Sequence, residues 1–508
     1  MPSLATSLSC LLLAATFSRP LERVASLDPA KCRSVYDAHA VALLYETPLA
    51  IAYGTLPYRL VPGFCELPEV SDDGLVYTFR LAHADSSLDA TDVVRSLERL
   101  RDPNEVSPNG WIMKDVDTVT AKDARTVVVR LKNRCYFFPW LMAIPATGVR
   151  GPDGEGTGPY RLASWRKNHE MVFERRWKSG TVEKWNGAGG APARKGFDTI
   201  RYLVVDDVST QWLMFLKGEI DFLGEISRDN WDSVVGADGR LDPALAAQGV
   251  KMHSIAALGA FYVGINMRDP VLGANRKLRQ ALNAAFDGEA WEKFYNGRVQ
   301  RGDGPIPPGV AGRLETPFPY AFDLEKAKRL LAEAGYRDGI DPKTGRRLVL
   351  TLSIGRPSQE SREMGELLVS FYEKIGVKLE CDFKTWPAFM KATSEGRVQM
   401  FLMGWVGDFP DAQNFMQLFY SKNRSPGANH ACYDNPEFDR AYEAALAAAT
   451  EEERNRHWTK CQEIVREDCP WIFTHYGKSY SLTRPSVGNY HPTDFPYGVE
   501  QYYENVVH

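Results

Sequence analysis

Apolar and polar positions in the C-terminal half of the chain recur with two alternating periods. Across residues 322–335, Leu324, Ala327, Leu330, Leu331 and Ala334 are spaced by threes and fours, which places them on one helical face. Asp323 is a natural N-cap for that helix, and Gly335 ends it. Residues 348–354 alternate with period two and predict a strand. Residues 360–376 then predict a helix, 377–383 a strand and 387–396 a helix. The run Val398-Gln399-Met400-Phe401-Leu402-Met403 is short, apolar and flanked by glycines, so it reads as a buried strand. Beyond it, Asn435-Pro436-Glu437-Phe438 opens one helix. Thr450-Glu451-Glu452-Glu453 has the form of a capping box and opens another, burying Trp458, Cys461, Ile464 and Val465. Upstream, residues 89–100 and 275–287 predict amphipathic helices, the second with Leu278, Leu282 and Phe286 inward. A β-α-β-α succession of this kind implies a sheet with helical crossovers, hence an α/β chain.

At 508 residues the chain exceeds what one core can hold and implies two or three domains. Its net charge of −4 argues against a nucleic-acid or anionic-membrane partner. Residues 187–196 ("GAGGAPARKG") form one loose stretch, expected as a surface loop. The apolar run at 8–17 has the length of a signal-peptide core and is too short to span a membrane. No Lys or Arg precedes it, its small residues are poorly arranged for cleavage, and Cys10 sits at its start. Residues 1–19 are accordingly set aside as a signal or atypical N-terminus. None of the eight cysteines forms a CxxC pair, which removes zinc-ribbon and thioredoxin readings. Cys461 and Cys469 are spaced so that a bridge is allowed but not required.

Catalytic signatures fail one by one. "NHEMVF" at 168–173 lacks the second histidine of a zincin. Gly477-Lys478-Ser479 has Ile472 where a phosphate loop needs its first glycine, and "GTGPY" at 156–160 is no dinucleotide fingerprint. The histidines are scattered, and single ones such as His253 and His475 read as surface or satisfied core residues. No catalytic residue, metal site or cofactor is expected. What remains is "GWVGDFPDAQNF" at 404–415, a turn at the end of a buried strand, where ligand sites of α/β proteins lie. Asp408 there is either an Asx-turn former before Pro410 or a charge facing a ligand. Trp405 and Trp386 are by default core aromatics.

These segments together resemble the family 5 extracellular solute-binding proteins, the peptide-binding components of ABC importers. The similarity rests on Leu27-Asp28-Pro29 with "LLYETPL" (43–49), "SDDGLVYTFRL" (71–81), "DATDVVRSLERLRDP" (89–103) and "GTGPYRLASW" (156–165). It continues through "FYVGINM" and "RKLRQALNAAFD" (261–287), "GPIPPG" (304–309), "FDLEKAKRLLAEAGY" (322–336), "GWVGDFPDAQNF", "YDNPEFD" (433–439) and "VREDCPWI" (465–472). Two regions depart from the family pattern. Only "AHADSSL" follows the 71–81 strand, and residues 135–156 are compressed, which trims the small domain.

The resemblance implies a two-lobed periplasmic-binding-protein fold with a hinge and a third, smaller domain on the first lobe. Residues 20–60, 156–258 and 480–508 would form the first lobe, 61–155 the small domain and 259–479 the second lobe. It implies an exported, monomeric, non-enzymatic receptor that closes on a short peptide and passes it to inner-membrane ABC permease subunits. Asp408 would meet the peptide ammonium and Arg356, in "IGRPSQES", its carboxylate; Trp386 and Trp405 would line the pocket. Arg356 also reads as a solvated arginine at a strand end. Other members of this fold bind nickel chelates, haem, opines or sugars, and a periplasmic signalling or chaperone-like role is a further alternative.

Overall fold

The computed structural model describes residues 15–506, except 22–23, 83–87, 177–195, 206, 227, 237–238, 356, 408, 426, 449 and 496. The apolar run at 8–14 and the loose stretch up to residue 195 thus lie outside the described residues.

Three larger sheets organise the chain. The first orders Thr16–Leu21, Thr199–Val204, Glu170–Arg175 and Tyr160–Arg166. Thr16–Leu21 runs parallel to Thr199–Val204, in register from Thr16 opposite Thr199 to Leu21 opposite Val204. Phe17 is 0% exposed, packed between Phe197 and Tyr503 at 5.3 Å from each ring. Setting aside residues up to 19 is therefore corrected: Thr16 to Arg19 belong to this sheet. Four residues are enough to mislead, because an edge strand and the end of an apolar leader share the same composition. The second sheet is antiparallel and orders Glu69–Val70, Val76–Arg80, Thr126–Leu131 and Val116–Asp123. Helix Ala90–Glu98 packs on it, opened by a capping box between Asp89 and Asp92.

The third sheet has seven strands, in the order Phe222–Leu223, Trp471–Thr483, Lys251–Ile265, Met400–Val406, Val349–Ile354 and Lys378–Phe383, with Val299–Arg301 added on Trp471–Thr483. Two of its strands are long. The first half of Lys251–Ile265 pairs with Lys478 to Thr483, next to Phe222–Leu223. Its second half pairs with Met400–Val406 and with Trp471 to Tyr476. Both long strands thus run from one core cluster to another, and their register breaks between Ala256 and Ala260, a local irregularity of the kind that bends a strand. One end of the pair is covered by Trp212, Phe215, Trp231 and Val250. The other end is covered by the helices carrying Leu278, Leu282, Leu331 and Leu368.

Local signals in the sequence account for the helix ends. Asp323 accepts from the Lys326 amide at 2.9 Å and starts Leu324–Glu333, after which Gly335 turns the chain with φ +91°. Asn435 accepts from the Glu437 amide at 2.8 Å, and Thr450 from the Glu453 amide at 3.2 Å. All seven described cysteines are unpaired. The Cys461 thiol faces the Phe438 carbonyl at 4.0 Å and the Cys469 thiol faces the Arg466 carbonyl at 3.2 Å, so the allowed bridge does not form. No described helix is long and apolar enough to cross a membrane.

Candidate functional site

Three strands of the seven-stranded sheet run parallel and end at one edge. Ile354 stands opposite both Leu402 and Phe383, so Val349–Ile354, Met400–Val406 and Lys378–Phe383 all point their carboxyl ends the same way. Loops leaving such an edge are where an open α/β sheet presents its ligand groups. Arg356 and Asp408 belong to these loops by sequence, and both lie outside the described residues. Their neighbours define the site.

Gly355 passes tightly beneath an aromatic pair: a Cβ there would lie 2.9 Å from both Trp386 and Phe389. The site thereby brings Trp386 against the loop that carries Arg356. Trp386 is not a core residue as its type alone suggested. It is 51% exposed and leans on the buried Phe389 with ring centroids 5.5 Å apart, because it occupies the first turn of its helix, Trp386–Ser394, at the sheet edge. Val406 ends its strand 70% exposed. Trp386 and Val406 are thus two large apolar side chains left exposed beside the loops that leave this edge. Trp405 is half-buried, and its indole N–H donates to Asn414 Oδ1 at 2.7 Å.

The turn after Val406 is fastened on several sides. The Gly407 amide donates to the Leu258 carbonyl at 2.8 Å, at the register break of the crossing strands. Phe409 is buried and stacks on Phe137 at 4.9 Å with an interplanar angle of 9°. Asp411 caps the short helix Ala412–Met416 by accepting from the Gln413 amide at 2.8 Å, and its other oxygen pairs with the buried Arg454. The Arg454 guanidinium lies over the rings of Tyr136 at 5.4 Å and Trp458 at 5.8 Å. Sequence reasoning missed Phe137, Asn414 and Arg454. Only Asp411 offered a signal, as an Asp opening a helix; the others come from far along the chain or face inward without a periodic cue.

Elsewhere on this sheet Phe261 stacks on His475 at 4.6 Å, parallel within 3°. Trp291 donates to His475 Nδ1 at 3.1 Å, and burial lowers the imidazole pKa to about 3, so it is neutral. His253 is held through Nε2 to Thr483 Oγ1 at 2.9 Å, and burial lowers it to about 4. Both are satisfied structural histidines. Among the described residues, no three His, Cys, Asp or Glu side chains gather to hold a metal ion. A separate cleft of 80 Å³ lies away from this edge, lined by Tyr45, Glu46, Thr47, Tyr497, Gln501 and Tyr502 among others.

Known proteins share this architecture. Heme-binding protein A of Haemophilus influenzae is 26% identical over 489 residues, spanning 87% of this chain and 83% of that one. The dipeptide-binding protein of Escherichia coli is 24% identical over 504 residues, spanning 90% and 88%. Among solved structures, the periplasmic murein tripeptide binding protein MppA in its unliganded open form superposes with a TM-score of 0.83 at 22% identity, covering 98% of each chain. That likeness identifies the two-lobed periplasmic-binding-protein fold. The model of the bacterial extracellular solute-binding proteins, family 5 (middle region), matches residues 59–427, and the chain belongs to that family.

Proposed function

We propose that the protein is an extracytoplasmic, non-enzymatic receptor that captures short peptides between its lobes and delivers them to an ABC permease. The observation that carries this reading is the second-lobe edge with exposed Trp386 and Val406, set beside two strands that cross between lobes with a register break. Closure about that break would cover the apolar edge. In this reading Asp408 pairs with the peptide ammonium and Arg356 with its carboxylate. Burying either pole unpaired is costly, and the planar guanidinium suits a carboxylate. Two fixed charges select peptide length, at ~3.3–3.6 Å per extended residue, while side-chain preference stays loose. Relatives named dipeptide-binding and glutathione-binding support a peptide ligand. The domain boundaries proposed with this reading put the first lobe at 20–60, joined by Thr16 to Arg19 of the edge strand, with 156–258 and 480–508, the small domain at 61–155 and the second lobe at 259–479.

A second reading is haem, favoured by the apolar exposed edge and by a relative named heme-binding. Calorimetry with di- and tripeptides, free amino acids and hemin separates the two. Heat from peptides, lost in Asp408→Ala and Arg356→Ala, is expected. Hemin binding with no heat from any peptide overturns the peptide reading.

A further inference from the structure

The segment Arg134 to Phe137 belongs to the unit built on the small antiparallel sheet. Tyr77 of that sheet donates its hydroxyl to the Cys135 carbonyl at 3.1 Å, which pins the segment to its own core. Its outward side chains all reach the second lobe. Phe137 stacks flat on Phe409, Tyr136 lies under Arg454, and Arg134 donates to the Ala447 carbonyl at 2.8 Å. Arg454 neutralises Asp411, and Asp411 caps the helix whose Asn414 holds the Trp405 indole. Among the described residues, the side-chain contacts of Phe409 and the ion pair of Asp411 therefore lead, in one or two steps, to Phe137 and Tyr136.

We propose that Tyr136 and Phe137 are positioning residues that hold Phe409 and Asp411, so that the small domain fixes one side of a ligand-binding turn on the opposite lobe. This rests on the reading of that turn as ligand-binding. The physical basis is the difference between the two kinds of contact. A hydrogen bond from one amide leaves a turn free to pivot about it. A flat ring stack and a guanidinium held against two rings add further restraint. The ion pair alone could not do this, since Arg454 needs the aromatic walls to keep its one geometry.

The test is amide hydrogen exchange of residues 404–416 in the ligand-free protein, with Phe137→Ala, Phe137→Leu and Phe137→Tyr. Phe137→Ala is expected to speed exchange there about tenfold, Phe137→Leu by less, and Phe137→Tyr to restore the native rate. Helix Gln359–Glu373 should not change in any of them. Unchanged exchange at 404–416 overturns the proposal, as does a rise spread equally over both regions. If Phe137→Ala does not fold, Phe137→Leu carries the same comparison. Affinity for alanyl-phenylalanine in Asp408→Ala is read separately. No loss there, with faster exchange in Phe137→Ala, removes the peptide reading and leaves the positioning role standing.

Discussion

The Gly407 amide donates to the Leu258 carbonyl at 2.8 Å, and the Leu258 amide donates to Asp494 Oδ2 at 2.6 Å. Leu258 thus links the turn that follows strand Met400–Val406 to the C-terminal segment carrying Asp494. A side chain at 407 would disturb this join: a Cβ would meet Leu258 and Phe415 at 3.0 Å. Gly407→Ala is expected to lower stability by about 1–3 kcal/mol. Urea unfolding checks it, and an unchanged midpoint would mean that Leu258 and Phe415 yield freely.

Trp386 should matter for binding as well as for folding. It is half in solvent, and the rest of its ring covers Phe389 and Gly355. Trp386→Ala is expected to cost about 1–2 kcal/mol of unfolding free energy and to weaken ligand affinity by roughly fivefold or more. Loss of stability without loss of affinity in calorimetry would return Trp386 to a structural role.

Asp494 gives this join a pH signature. Burial raises its carboxyl pKa, outweighing the hydrogen bonds from Leu258 and Ser479 that lower it. A carboxyl that binds its proton more tightly when folded favours the folded state in full below ~3.9, and that contribution is lost as pH rises through the higher folded value. Asp494→Asn keeps an acceptor for Leu258 and has no charge to desolvate. Its stability relative to the wild type should therefore grow from pH 4 to pH 8 in urea melts. A difference independent of pH would refute this.

Glu500 is wholly buried and pairs with Arg19 at 2.6 Å. Burial pushes its carboxyl up, but Arg19 and His39 outweigh that and hold it below the usual range. Burial lowers His39 to about 4, so Arg19 supplies the positive charge. Arg19→Met leaves a buried carboxylate uncompensated and should cost about 3–5 kcal/mol. Glu500 stabilises above its ordinary pKa of ~4.3 and loses that as pH falls through the depressed value, so the penalty should shrink in acid melts. A substitution that costs nothing at pH 7 would show that the pair is dispensable.

The thiols should be shielded in the folded protein. Burial pushes Cys32, Cys65 and Cys135 up to about 12 and Cys381 to about 11, and only Cys381 is partly accessible among the described seven. Alkylation of the native protein should modify Cys381 first, and denaturation without reductant should free the other six. A Cys461–Cys469 disulfide in a peptide map would contradict the structure.

Much of the second lobe was legible because its signals are local. A cap such as Asp323 or Asn435 acts on amides two or three residues away, and a helix face repeats within one or two turns, so reading along the chain recovers both. The order of these elements was enough to place the chain in its family. The site was legible only in part. Strand 400–406 and its following turn were visible, yet nothing in "RCYFF" says that Phe137 lies against a phenylalanine 272 residues later, by subtraction from 409. The same limit hid the parallel pairing of Thr16–Leu21 with Thr199–Val204.

Alternation of side chains along the backbone thus determined which segments became helices and strands and where most of them stop. Tertiary packing decided the rest: Trp386 in solvent, Arg454 against two rings, Leu258 between the Gly407 amide and Asp494. The reason is range. Backbone capping and amphipathic period act over a few residues, whereas the partner of a buried ring is whichever surface the finished fold delivers to it.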